Sequence, residues 1–226
     1  STRTADQTDI ANFWNGSQNV VTTWNKAAQN MASTLDLHQN AKLFAALNVA
    51  LADAGIAAAD AKYNYAAWRP VSAIRDEAAF DGHPGDNLLI TGNATWTPLI
   101  KTPASPEYVS ETSTMSAAAA TTMAGLLGDN AIFAITSDTN GDGIADLSRN
   151  YSSFSQMGSE AVSSGVFAGI NFNSSSQDAS VLGATIGQVL TNNFFTPVPE
   201  PSSAVCVIAA GVTFATRRRR WLRPKR

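Results

Sequence analysis

Lys62 and Arg69 stand seven residues apart in Lys62-Tyr-Asn-Tyr-Ala-Ala-Trp-Arg69-Pro70. On one helix that spacing puts both side chains on a common face. An ammonium beside a guanidinium fork is a donor set suited to a tetrahedral oxyanion. Taken alone, the pair reads better as an exposed basic helix face. A second segment, Glu107-Tyr108-Val109-Ser110-Glu111-Thr112-Ser113-Thr114, supplies a hydroxyl at Ser110 and a carboxylate at Glu111. A third, residues 160–172, contains Ser164, Gly165 and Asn171 and no basic residue. The two histidines of the chain, His38 and His83, fall outside all three segments. General acid–base chemistry near neutral pH therefore lacks its usual side chain here. His83, in Asp81-Gly82-His83-Pro84-Gly85-Asp86, reads as an exposed loop residue.

A different chemistry is written in Asp138-Thr139-Asn140-Gly141-Asp142-Gly143-Ile144-Ala145-Asp146. Asp138, Asn140, Asp142 and Asp146 put oxygen donors at positions 1, 3, 5 and 9 of an EF-hand-like calcium loop. Ile144 offers a carbonyl, and Gly143 permits the sharp turn. The run also resembles the calcium repeats of dockerin-type and other secreted bacterial proteins. Position 12, normally a bidentate acid, is Arg149, which leaves the loop short of ligands. The competing reading is a polar turn rich in Asp, Asn and Gly. Bound calcium would brace a connection between two helices and have no catalytic role.

The elements that must position these residues read as helices. Ile10, Phe13, Trp14, Val20, Val21 and Trp24 are the packing candidates of residues 5–32. Over 36–61, Leu37, Leu43, Phe44, Leu47, Leu51 and Ile56 recur at helical spacing, with Asp36 placed to cap the start. Residues 62–78 continue as helix interrupted by Pro70, with Trp68 packing beside Arg69. Residues 79–112 carry Gly, Pro, Asp and Asn throughout and read as a long loop. Further helices are expected over 113–127, 147–168 and 179–193, the first ended by Gly128. The five tryptophans read as packing residues. No strand pattern is evident, so the expected class is all-α.

Of the 226 residues 44% are hydrophobic and only 15% charged, enough for one sizeable core. One cysteine, Cys206, excludes an intrachain disulfide framework. Residues 1–199 hold 17 acidic against 8 basic residues, a poor match for nucleic acid. Seven of the 15 basic residues lie in 217–226. That segment ends a tail of a different kind: Val198-Pro199-Glu200-Pro201, an apolar run over 204–215, then Arg217-Arg218-Arg219-Arg220. The run is short for a free-standing span, and the arginines favour the cytoplasmic side of a membrane. In this order the three parts resemble a PEP-CTERM sorting signal. The resemblance implies export, recognition by an exosortase, transient inner-membrane anchoring and delivery to the surface or extracellular matrix of a Gram-negative-type bacterium. The organisation is therefore a body, 1–196, and a sorting tail, 197–226.

The three segments of the body, in order, resemble the oxyanion-site segments of the vanadium-dependent haloperoxidase / phosphatidic acid phosphatase type 2 superfamily. Those run Lys-x6-Arg-Pro, Pro-Ser-Gly-His and Ser-Arg-x5-His. Trp96-Thr97-Pro98-Leu99, the run Thr102-Pro103-Ala104-Ser105-Pro106-Glu107-Tyr108, and Arg149-Asn150-Tyr151 extend the match over about residues 3–194. The resemblance implies a helical bundle, incomplete at its N-terminus, with vanadate or phosphate as the family's ligand. By position it makes Lys62, Arg69 and Ser110 the oxyanion-binding residues. It also places Glu111 where glycine belongs, Thr112 where the acid–base histidine belongs, Gly165 for the third cation and Asn171 for the ligand or nucleophile histidine. Glu111 is expected to pair with Lys62 or Arg69 and fill the site. These replacements argue against the family's activity. Three functions stay open: an impaired family member with residual anion binding, a haloperoxidase or acid phosphatase with a rearranged site, or a structural or adhesive protein with a calcium loop.

Overall fold

The computed structural model describes residues 2–17, 19–80 and 92–194. The sorting tail with Cys206, and the loop with His83, lie outside the described residues. The helices are α1 (Ala5–Asn15), α2 (Val20–Ala32), α3 (Leu37–Tyr65), α4 (Pro70–Phe80), α5 (Glu111–Leu127), α6 (Phe154–Ala168) and α7 (Asn173–Asn193). Between α5 and α6 lie β1 (Asn130–Ser137) and β2 (Leu147–Ser153).

The helices begin where short polar side chains satisfy the free amides. Thr4 with Gln7, and Asp36 with Gln39, form reciprocal capping boxes. Ser110 caps α5 and Ser153 caps α6. α5 is the central helix, and its alanines let neighbours approach closely. Gly183 and Gly187 of α7 meet it along a ridge with no room for a side chain. A Cβ at Gly187 would lie 2.8 Å from the Ala118 carbonyl oxygen. Phe13, Trp24, Leu43, Leu47, Met123, Phe154 and Met157 close the core around α5. Each large side chain so buried contributes about 1.5–3 kcal/mol. The Trp24 indole donates to the Ser116 hydroxyl at 3.0 Å, so its polar edge is satisfied.

Four expectations are corrected. First, residues 147–153 are strand, not helix, and pair antiparallel with β1, with Phe133 opposite Tyr151 and Ile135 opposite Arg149. The signal is weak because β1 reads Ala-Ile-Phe-Ala-Ile without alternation, while β2 is polar except at Leu147 and Tyr151. Second, α3 does not continue to Pro70. Ala66 adopts a left-handed conformation (φ 48°), residues 66–69 lie outside helix, and Pro70 opens α4. Third, Leu37 and Ile56 are 87% and 70% exposed rather than packed, and Trp68 is 59% exposed rather than sheltered beside Arg69. Fourth, α5 and α7 start earlier than expected, at Glu111 and Asn173.

Candidate functional site

Lys62 sits in the last turn of α3, and Arg69 follows the break. They share no helix, yet the reversal at Ala66 turns both inward, leaving them 3% and 8% exposed. Both reach the segment before α5. The Lys62 ammonium donates to the carbonyls of Pro106 (3.0 Å) and Glu107 (3.2 Å). Arg69 donates from Nε to the Ser105 carbonyl (3.0 Å) and from Nη2 to the Ser105 hydroxyl (3.2 Å) and the Pro106 carbonyl (3.1 Å). Its Nη1 reaches across to the Ile170 carbonyl at 2.9 Å. Four of the five guanidinium N–H groups are thereby occupied by protein oxygens. Burial, then the neighbouring Arg69 charge, pushes the Lys62 ammonium down to about 8. Burial likewise lowers Arg69, while the fields of Glu107 and Glu111 oppose the shift.

The buried carboxylate here is Glu107, for which the sequence suggests no role. It is 1% exposed. Its Oε1 accepts from the Asn171 amide at 2.8 Å and from the Phe172 backbone N–H at 3.1 Å. Phe172 is the N-cap of α7 and offers no side-chain cap. Glu107 therefore supplies a negative group at the positive end of that helix. A glutamate between Pro and Tyr carries no periodic signal.

Glu111 does not pair with either cation. It is exposed in the first turn of α5 and reaches them only through its field. Thr112 is half-buried beside it. Ser110 acts as the N-cap of α5, and its hydroxyl is bonded to the Ser113 hydroxyl at 2.8 Å. Gly165 and Asn171 are one unit. A Cβ on Gly165 would lie 2.5 Å from Asn171 Oδ1, so the amide fills the space a side chain at 165 would need. A groove of about 320 Å³ between α5, α6 and α7 is lined by Thr121, Ser155, Ser159 and Gln177, among others, and by none of the motif residues.

Asp138, Asn140, Asp142, Ile144 and Asp146 form the β1–β2 connection, not a link between helices. Asp138 accepts from the Gly141 and Gly143 amides, Asn140 from the Asp142 amide and Asp142 from the Ile144 amide. Asp146 accepts from the amide and hydroxyl of Thr139. Among the described residues no group of three or more His, Cys, Asp or Glu is arranged to hold a metal ion. Arg149, the residue at loop position 12, instead grips Glu160 with two hydrogen bonds of 2.7 Å and pairs with Asp6 at 3.0 Å. Tyr151 (2.7 Å) and Trp14 (3.1 Å) also donate to Glu160.

The family model described as the VCPO second helical-bundle domain matches residues 42–198. The chain belongs to this family. Among solved structures, a bacterial vanadium-dependent iodoperoxidase is similar over 83% of this chain, with 26% identity and a TM-score of 0.68. The holo form of a bacterial vanadium-dependent chloroperoxidase is similar over 84%, with 18% identity and a TM-score of 0.68, a likeness of fold. Each match takes in 44% of the relative's own chain, so this chain spans less than half their length. A comparison with curated proteins gave no match. The helical bundle expected is the fold found, and this chain also carries the β1–β2 hairpin. The relatives named are vanadium-dependent; the side chains at the corresponding place here do not fit vanadate. The Lys62 and Arg69 donors are directed at backbone carbonyls and the Ser105 hydroxyl, and the Asn171 amide is turned to Glu107.

Proposed function

We propose that the chain is a catalytically impaired haloperoxidase-fold protein in which the two motif cations have become structural staples. The observation that carries this reading is the set of six hydrogen bonds from Lys62 and Arg69 to Ser105, Pro106, Glu107 and Ile170. Charge-assisted bonds of this kind fix segment 105–107 against α3 and the α6–α7 connection. An incoming oxyanion would have to displace several of them and meet the fields of Glu107 and Glu111. Any residual anion binding through Lys62, Arg69 and Ser110 is then weaker than millimolar.

The tail of residues 197–226 supports the rest of the reading: export, exosortase-dependent sorting and residence at the cell surface or matrix. The role there is structural or adhesive. Isothermal calorimetry of the protein with vanadate and with phosphate tests the proposal. Absence of binding at millimolar anion is expected. Micromolar binding, or peroxide-dependent oxidation of bromide or iodide, overturns it in favour of a rearranged working haloperoxidase. Turnover of a phosphate ester does the same in favour of an acid phosphatase.

A further inference from the structure

α3 carries a second apolar face, turned away from its core face of Leu43, Leu47 and Leu51. Val49, Ile56 and Tyr63 recur every seven residues, and Ala45, Ala52 and Ala59 each precede one of them by four residues. All six are exposed, the large ones by 43%, 70% and 73%. The three-and-four spacing is that of a coiled-coil seam, and the seam strictly alternates small and large.

We propose that this face binds the same face of a second copy of the chain, the two α3 helices running antiparallel across a two-fold axis. The alternation selects the direction. In an antiparallel pair centred on residue 54, Ala52 of one copy lies opposite Ile56 of the other, Val49 opposite Ala59, and Ala45 opposite Tyr63. Every layer then joins one small and one large side chain, and the surfaces interdigitate. A parallel pair would stack alanine on alanine and Ile56 on Ile56, leaving alternate layers loose. Charge supports the same choice. Lys42 continues the seam by one turn and meets the C-terminal end of the other α3, where a cation is favoured. The two-fold repeats that contact at both ends.

The seam of 22 residues is about 33 Å long. Two such seams bury on the order of 1,000 Å², the lower edge of a specific interface. Asp53 lies close to its own copy near the axis, which further limits affinity. The expected species is a concentration-dependent dimer.

Sedimentation equilibrium of the full chain tests the pairing. Dimer is expected. Ile56→Asp should weaken it roughly a hundredfold or more, because the two-fold buries the charge twice. Helical circular dichroism should be unchanged. Val181→Asp, at an exposed apolar position of α7, should leave the dimer intact. Register is read by cross-linking in a Cys206→Ser background. Chains carrying Ala52→Cys should form a disulfide with chains carrying Ile56→Cys, while Ile56→Cys alone should not self-couple. A monomer at all concentrations overturns the proposal, as does a dimer indifferent to Ile56→Asp. Self-coupling through Ile56→Cys overturns it in favour of parallel pairing. A monomer whose α3 face is still protected from hydrogen exchange assigns that face to another segment of the chain.

Discussion

Arg69 and Arg149 are both withdrawn from solvent, and they are held in opposite ways. Arg149 grips Glu160 with two parallel hydrogen bonds and is held above its ordinary pKa by that partner. Glu160 in turn collects Trp14 and Tyr151, so α1, β2 and α6 meet on one carboxylate. Arg69 touches no carboxylate. It faces four neutral oxygens, and burial lowers its pKa. The first arrangement is a neutralised ion pair built for stability. The second is an excess of positive charge among neutral oxygens.

The largest expected effect falls on the neutralised pair. Glu160→Gln leaves the part-buried Arg149 without its full partner and should lower unfolding stability by about 3 kcal/mol, the lower end for a buried pair. Arg69→Met frees only neutral oxygens and should cost about 1–3 kcal/mol. Urea unfolding of both variants measures the contrast, and equal losses would erase it.

Lys62 sharpens the comparison through pH. Its folded pKa, about 8, lies below the unfolded value of 10.5. Between those values the unfolded chain binds more protons, so stability rises with pH. The burial penalty on the charged form is fully present below pH 8 and gone above the unfolded pKa. The wild-type protein should gain about 1.4 kcal/mol per pH unit relative to Lys62→Met between pH 8 and 10. A flat difference would show that the ammonium is not desolvated.

A smaller effect is expected at Gly165. Gly165→Ala crowds Asn171 and should cost about 1–3 kcal/mol. In the Asn171→Ala background the same change should cost at least about 1 kcal/mol less, measured as a double-mutant cycle. Additive losses would mean the two residues do not share the space. The smallest effect belongs to the β1–β2 loop, where Asp138, Asn140, Asp142 and Asp146 each already accept a hydrogen bond from within the loop. Millimolar calcium should leave the melting temperature unchanged, and a rise that requires Asp138 would support the calcium reading.

The helical bundle was legible because its signals are local. Asp36 announced its cap, and Leu43, Leu47 and Leu51 marked a core face. The hairpin was not, because Phe133 and Ile135 gain their burial from packing on Tyr151 and Phe154, far from them in sequence. Lys62 and Arg69 were placed inward by resemblance to a family, and the chain achieves this by breaking the helix between them. Glu107 was invisible for a related reason. Its partners are 64 and 65 residues away, and nothing in its own segment marks it. Ile56 was misassigned because spacing alone does not say which of two apolar faces points inward.

The contact between Gly165 and Asn171 also sets an order on genetic change. A side chain at 165 is blocked while the Asn171 amide occupies the space, so a first mutation there is unfavourable on its own. A change at 171 opens the space but deprives Glu107 of a donor. Any side chain introduced at 165 therefore depends on a prior change at 171, and the two positions can vary only in that order.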